Sequence, residues 1–212
     1  MPKRDDDAAS PSLHSSFSSY RHADVLEFSP SIPPSLYSDV APSRQLKSTI
    51  KHPQHSTRKN AIEKRITDPS HPAHPQYGLF AARKLVSGER IIDYHGIVTM
   101  NGEEDAESDY TYCFARRQLV IDASRVGSDA RFCNDYRGIR TRPNAEFYEY
   151  RDQVGDLKCA IRVKKYVKHI HKGEEICVNY GKGYWVHRFG REALELHSVR
   201  GKKVSERGSR GE

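Results

Sequence analysis

Apolar residues in this chain come in short runs, and the runs become frequent only after residue 76. The runs at 77–81, 90–98, 110–114 and 119–123 read as strands, separated by Ser87-Gly88 and by an acidic loop at 101–109. Two more strands are expected at 146–150 and 157–167, flanking the turn Gln153-Val154-Gly155-Asp156. In the second of these Leu157, Cys159, Ile161 and Val163 alternate with Lys158, Ala160, Arg162 and Lys164, the period of a half-buried strand. A short strand at 175–179 follows the turn Lys172-Gly173. Helical spacing arises late, at Trp185, Phe189, Leu194 and Leu196, which predicts a helix over 185–197. The pattern predicts a mainly β domain over 77–190, then a helix end and basic polar tail over 191–212, with no internal repeat.

Residues 1–76 have a different texture, rich in Ser, Pro and His with scattered apolar residues such as Leu13, Phe17, Val25, Leu26 and Ile32. Such a stretch buries too little to offset an ordering cost of about 1–2 kcal/mol per residue. It is expected to be largely disordered or extended, with one short helix around 56–66. The low hydrophobic content of 36% agrees with a chain only part of which enters a core.

Among 212 residues, 35 are Lys or Arg and 28 Asp or Glu, a net charge of +7. That excess suits anionic partners without requiring them, and it is spread along the chain with no basic arm. No apolar run reaches the ~18 residues that cross a bilayer, and Asp5, Asp6 and Asp7 stand where a secretory signal would be apolar. Four cysteines without C-x-x-C pairs fit reduced thiols in the nucleus or cytoplasm.

The order of short motifs points to a chemistry. Tyr77-Gly78-Leu79-Phe80-Ala81 is followed by Tyr94-His95-Gly96, Ile121-Asp122-Ala123, Arg131-Phe132-Cys133-Asn134 and Pro143-Asn144-Ala145-Glu146-Phe147. Lys172-Gly173-Glu174-Glu175-Ile176 then leads to Asn179-Tyr180-Gly181. In this order the segments resemble the SET-domain protein lysine methyltransferases, from Tyr77 to about Trp185. The resemblance implies small curved β-sheets with a knot-like crossing, short helices and a C-terminal helix. The crossing would bring Asn134 beside Tyr180.

The implied reaction moves a methyl group from S-adenosyl-L-methionine to a lysine ε-amine, with a histone tail as the favoured substrate class and a monomeric enzyme. The amine must be neutral, which at pH 7.4 costs about 4 kcal/mol from a reference pKa near 10.4. A narrow aromatic channel lowers that cost by disfavouring the ammonium. By resemblance Tyr180 and Tyr112 are catalytic, and Tyr110, Phe114 and Tyr184 line the substrate channel. Tyr77, Gly78, Leu79, Tyr94, Arg131, Phe132, Asn134, Asp135, Tyr180 and Trp185 would hold the cofactor. For several of these a plain structural role stays open: Tyr94 as core packing, Arg131 as a salt-bridge partner, Trp185 as the anchor of the last helix.

The chain departs from the family pattern in four places. Gln76 replaces the first glycine of Gly-x-Gly, Asp135 stands where histidine is usual, Asn179 replaces the acidic residue before the tyrosine, and no cysteine cluster follows Cys177. Gln76 and Asp135 motivate a second reading, an inactive SET-like interaction module working through the tails or the acidic loop. A third is weak nucleic-acid contact through Arg137, Arg140, Arg142, Lys164, Lys165 and Lys168. The pairs His52/His55 and His71/His74 have zinc-like spacing, but proline interrupts each pair and no cysteine lies near. No metal site is expected, and Cys133 and Cys177 read as buried structural thiols.

Overall fold

The computed structural model of the chain describes residues 20–45, 60–114 and 118–189. Its centre is a three-stranded sheet in which Leu157–Val163 lies between Ala145–Arg151 and Arg90–Asp93, antiparallel to both. The predicted alternation orients the middle strand in part: Leu157, Cys159, Ile161 and Val163 are all buried and Lys158 and Arg162 keep contact with solvent, but Ala160, expected on the open face, is fully buried too. Gly155, at φ 85°, closes the hairpin before it in the left-handed region that glycine tolerates.

The run 90–98, expected as one strand, is two. Arg90–Asp93 belongs to the central sheet, whereas Ile97–Met100 joins Glu27–Phe28, Leu119–Asp122 and Thr111–Cys113 in a second sheet of four strands. Gly96 marks the corner between them. A Cβ there would lie 2.5 Å from the Asp122 carbonyl oxygen, so the close approach of the two backbones demands glycine.

The expectation for residues 1–76 is corrected wherever the structure describes them; 1–19 and 46–59 lie outside the described residues. Arg21–His22 pairs with Val126–Gly127, Glu27–Phe28 pairs with the strand after Gly96, and a helix runs over Pro34–Val40. Ala61–Arg65, where a helix was expected, is a strand antiparallel to Tyr77–Ala81. Leu26, Ile32, Val40 and Ala61 are no more than 3% exposed. These sparse apolar residues need no period of their own, because each fills a gap in a core built elsewhere and contributes up to about 1.5–3 kcal/mol. The late helix spans Gly181–Phe189, starting before Trp185, and the expected continuation over 190–197 lies outside the described residues. Among the described residues no helix is long and apolar enough to cross a membrane.

The crossing expected of the fold is made by very short strands. Asn134–Asp135 runs parallel to Cys177–Val178, and the Tyr136 amide donates to the Val178 carbonyl at 2.9 Å. On the other side of the same late strand, Asn144 donates to the Glu175 carbonyl and accepts from the Cys177 amide, both at 2.8 Å. The loop from 136 to 144 therefore wraps around the 175–178 segment, holding it from both flanks.

The segment 20–45 is tied down at Asp156, a buried carboxylate that accepts from the Ser43 amide at 3.0 Å and the Ser43 hydroxyl at 2.7 Å. Asp156→Ala leaves both donors buried without that acceptor and is expected to lower unfolding stability by about 1–3 kcal/mol, read from urea denaturation. An unchanged midpoint would show that the segment is not held at this point.

Candidate active site

Tyr180 sits where the crossing strand passes into the last helix, and two contacts fix it. Its hydroxyl donates to the Cys133 carbonyl at 2.8 Å, and its amide donates to Asp135 Oδ2 at 2.8 Å. Asp135 is 7% exposed and also accepts from the Arg137 amide and guanidinium. The carboxylate that departs from the family pattern is thus a buried clamp on the backbone of Tyr180, charge-paired by Arg137. Asn134 and Tyr180, far apart in sequence, are brought to one place by the parallel pairing.

Two cavities meet at this tyrosine. The larger, about 720 Å³, is lined by Tyr94, Tyr112, Phe147, Lys164 and a rim of Glu104, Asp105, Asp109 and Glu146. The smaller, about 150 Å³, is lined by Pro72, Ala73, Gln76, Tyr77, Phe132, Asn134, Asp135 and Trp185. Tyr180, Tyr110, Tyr184, Arg131 and Asp109 line both, so they form the partition between the two spaces.

In the larger cavity the aromatic rings form a connected cluster. Phe147 lies 5.2 Å from Tyr112 and 5.5 Å from Tyr94, centroid to centroid. Burial pushes the phenols of Tyr94, Tyr112 and Tyr180 well above the ordinary tyrosine range, and the neighbouring Cys159 or Cys133 adds to the effect. All three remain protonated donors. Glu146 moves the other way: burial raises its pKa, but hydrogen bonds from Lys164 and Arg162 outweigh that and keep it ionised.

The smaller cavity is organised by Arg131 and Asn134. The Arg131 guanidinium lies between the rings of Tyr20 at 4.4 Å and Tyr110 at 3.9 Å, and donates to the Ser124 carbonyl at 3.0 Å. Its Nε is buried with no hydrogen-bond partner among the described residues. Asn134 Nδ2 donates to Glu175 Oε1 at 2.9 Å and to the Tyr77 carbonyl at 3.2 Å. Both partners are pure acceptors, which fixes the amide orientation and leaves Oδ1 as the acceptor turned away from them.

Several expected site residues stand elsewhere. Gly78 and Leu79 line neither cavity: Leu79 is fully buried in the core, and a Cβ on Gly78 would come within 2.8 Å of Glu175 Oε1 and 3.2 Å of Asn134 Nδ2. The glycine serves the packing behind Asn134. Phe114 is 3% exposed and stands behind Tyr112, edge-on at 5.9 Å, outside the cavity lining. Tyr94 lies with the larger cavity and donates its hydroxyl to the Tyr110 carbonyl at 2.8 Å. Tyr77, Arg131, Phe132, Asn134, Asp135 and Trp185 do come together around the smaller one.

Sequence reasoning missed Phe147 as a channel wall, although its motif stands out, and missed Tyr20, whose hydroxyl donates to Asp129 at 3.0 Å. It also left His71 in a segment expected to be largely disordered or extended, whereas His71 Nε2 is 2.9 Å from Glu175 Oε2. His52 and His55 lie outside the described residues. Cys133 and Cys177 are buried, and burial raises both thiols far above the usual range.

Removing the Asp135 carboxylate would strand Arg137 and the Tyr180 amide together. Asp135→Ala is expected to cost about 3 kcal/mol in thermal or chaotrope unfolding, with Asp135→Asn costing less because one acceptor stays. Equal stability of Asp135→Ala and the parent chain would remove the clamp.

The SET domain family profile matches residues 76–181, which is half of the chain. An apo ctPRC2 structure with two substitutions in Ezh2 aligns with 58% of this chain and 15% of that one, at 23% identity and a TM-score of 0.46. A humanized mutant of the Chaetomium thermophilum Polycomb Repressive Complex 2 aligns over the same shares at 22% identity and a TM-score of 0.47. The chain therefore matches only 15% of the length of these proteins. No curated protein matches it. With half its length under the family profile, and with the crossing strands setting the matched motifs side by side, this chain belongs to the SET-domain family of protein lysine methyltransferases.

Proposed function

We propose that the protein transfers a methyl group from S-adenosyl-L-methionine to the ε-amine of a protein lysine. The observation that carries this reading is the pair of cavities meeting at Tyr180, one aromatic and open to an acidic rim, the other walled by aromatic rings and polar groups. A transfer between two large reactants needs them to enter from different sides and meet at one point, and positioning of that kind lowers the barrier by several kcal/mol.

The smaller cavity suits the cofactor chemically. Asn134 Oδ1 is an acceptor for an ammonium, the Arg131 cation in the wall favours a carboxylate, and Tyr77, Phe132 and Trp185 supply flat apolar surface for a base. When bound, S-adenosyl-L-methionine supplies an electrophilic methyl on a sulfonium. The chain's own part is to admit a neutral amine, exclude bulk water and fix the line of approach. Tyr94, Tyr112 and Phe147 give the lysine chain an apolar sleeve and disfavour its ammonium.

Tyr180 is not the base. Its hydroxyl hydrogen is engaged with the Cys133 carbonyl and burial keeps it protonated, so the amine loses its proton to water at the channel mouth before it enters. Glu104 and Asp109 give that mouth negative charge, with Asp105 and Glu146 beside them paired to cations, which favours a substrate lysine flanked by basic residues, as in a histone tail, and a nuclear setting.

The smaller cavity, about 150 Å³, is below the ~300–1,000 Å³ common for ligand sites, and Gln76 stands in its wall. This observation favours the second reading, an interaction module that keeps the fold without turnover. Calorimetric titration with S-adenosyl-L-methionine separates the two: saturable one-to-one binding is expected, and no binding by folded protein at millimolar cofactor selects the module.

The hydroxyl's anchor on the Cys133 carbonyl fixes the Tyr180 ring between the two cavities, and Tyr180→Phe, which removes it, is expected to lower kcat by about 10²-fold through misplacement while cofactor affinity and melting temperature stay close to the parent values. Unchanged transfer to a lysine peptide would defeat the role given to Tyr180. Because the amine deprotonates in water, log kcat/KM should rise with unit slope from about pH 7 to pH 9.5, below the reference lysine pKa. Tyr180→Phe should keep that slope; its loss would make the phenol the base.

A further inference from the structure

We infer that His71 is a positioning residue for the smaller cavity, acting through Glu175 on the side-chain amide of Asn134. The inference rests on the reading of that cavity as the cofactor site and adds a residue outside the span 76–181 that the family profile covers.

The chain of contacts is continuous and each direction is determined. The Ala73 amide donates to His71 Nδ1 at 3.1 Å, so Nδ1 is the acceptor nitrogen and the ring proton sits on Nε2. Nε2 then donates to Glu175 Oε2 at 2.9 Å. The other oxygen of the same carboxylate, Oε1, accepts from Asn134 Nδ2 at 2.9 Å. The side chains of His71 and Glu175 are 14% and 9% exposed, so water offers little competition for either bond.

Geometry shows why Glu175 needs a second partner. Its carboxylate, on an isolated bridge residue paired with Phe80 just before the Cys177–Val178 strand, can rotate about its own χ angles, and Oε1 must stay where it orients the Asn134 amide. Gly78 leaves room for Oε1, since a Cβ there would approach it to 2.8 Å. Asn134 holds Oε1 and His71 holds the other oxygen, so both ends of the carboxylate are restrained. Asn134 then presents Oδ1, not Nδ2, to any cation in the cavity. Pro72 and Ala73, the next two residues, line the cavity wall directly, so the ring and the wall are placed by one segment. This arrangement matches the way outer partners orient the groups that touch a ligand.

The test uses two substitutions in the full chain that divide the properties of the ring. His71→Gln keeps a donor near the Nε2 position, and His71→Phe keeps the ring volume without a donor. With S-adenosyl-L-methionine in calorimetry, His71→Phe is expected to bind about tenfold or more weakly, and His71→Gln within about threefold of the parent. At saturating cofactor, kcat and the KM for a lysine peptide should be the same in all three, and their melting temperatures should agree within a few degrees. Equal affinity of His71→Phe and the parent, or a larger loss in His71→Gln than in His71→Phe, overturns the proposal.

A second readout does not need the cofactor. The side-chain amide protons of Asn134, followed by NMR, should exchange slowly with solvent in the parent and in His71→Gln and faster in His71→Phe. Unaltered exchange in His71→Phe overturns the role of His71 even if no cofactor binds. A parent chain that binds no cofactor defeats the functional reading instead.

Discussion

The site depends on one short piece of backbone pairing. Asn134 and Asp135 lie parallel to Cys177 and Val178, and this register dictates where both side chains act: Asn134 faces the smaller cavity, and Asp135 is placed to capture the Tyr180 amide. Two residue pairs make a weak ladder alone. It holds because both strands are wrapped, with the loop from 136 to 144 passing around the late strand and Asn144 bonded to its far edge. A buried carboxylate with a guanidinium partner then locks the junction.

Burial around the junction sets its chemistry. The phenols of Tyr94, Tyr112 and Tyr180 are held protonated by burial, so each acts as a donor or as a surface and none as a base. The charges there are held by defined partners. Asp135 is paired with Arg137, while Arg131 in the partition is stacked between tyrosine rings and pairs with no carboxylate among the described residues. The alternative of Arg131 as a salt-bridge partner therefore gives way to a cation held by ring faces and one carbonyl.

The region before the matched family span is part of the same machine. Tyr20 lies on Arg131, His71 reaches Glu175, and Pro72 and Ala73 form cavity wall. Composition pointed the other way, because a Ser- and Pro-rich segment with few apolar residues cannot fold by itself. It has no need to: Glu27–Phe28 extends the edge of the four-stranded sheet, Arg21–His22 and Ala61–Arg65 each pair with one strand of the family span, and single apolar side chains fill gaps, so its ordering is driven by the rest of the molecule.

Period-2 alternation at 157–163 determined a strand, because a sheet with one buried face imposes that period directly on the sequence. The ordered motifs determined the family, and with it the neighbourhood of Tyr180, because short segments that meet in space are each constrained locally. Tertiary structure alone decided that 90–98 breaks at Gly96, since the cause is the Asp122 carbonyl from a distant strand. It also decided that Gly78 serves Glu175 and Asn134, that Phe114 stands behind Tyr112 while Phe147 forms the wall, and that Tyr20 and His71 belong to the site. Each of these rests on a contact between residues remote in sequence, and such a contact leaves no period, spacing or composition at either end from which it could be read.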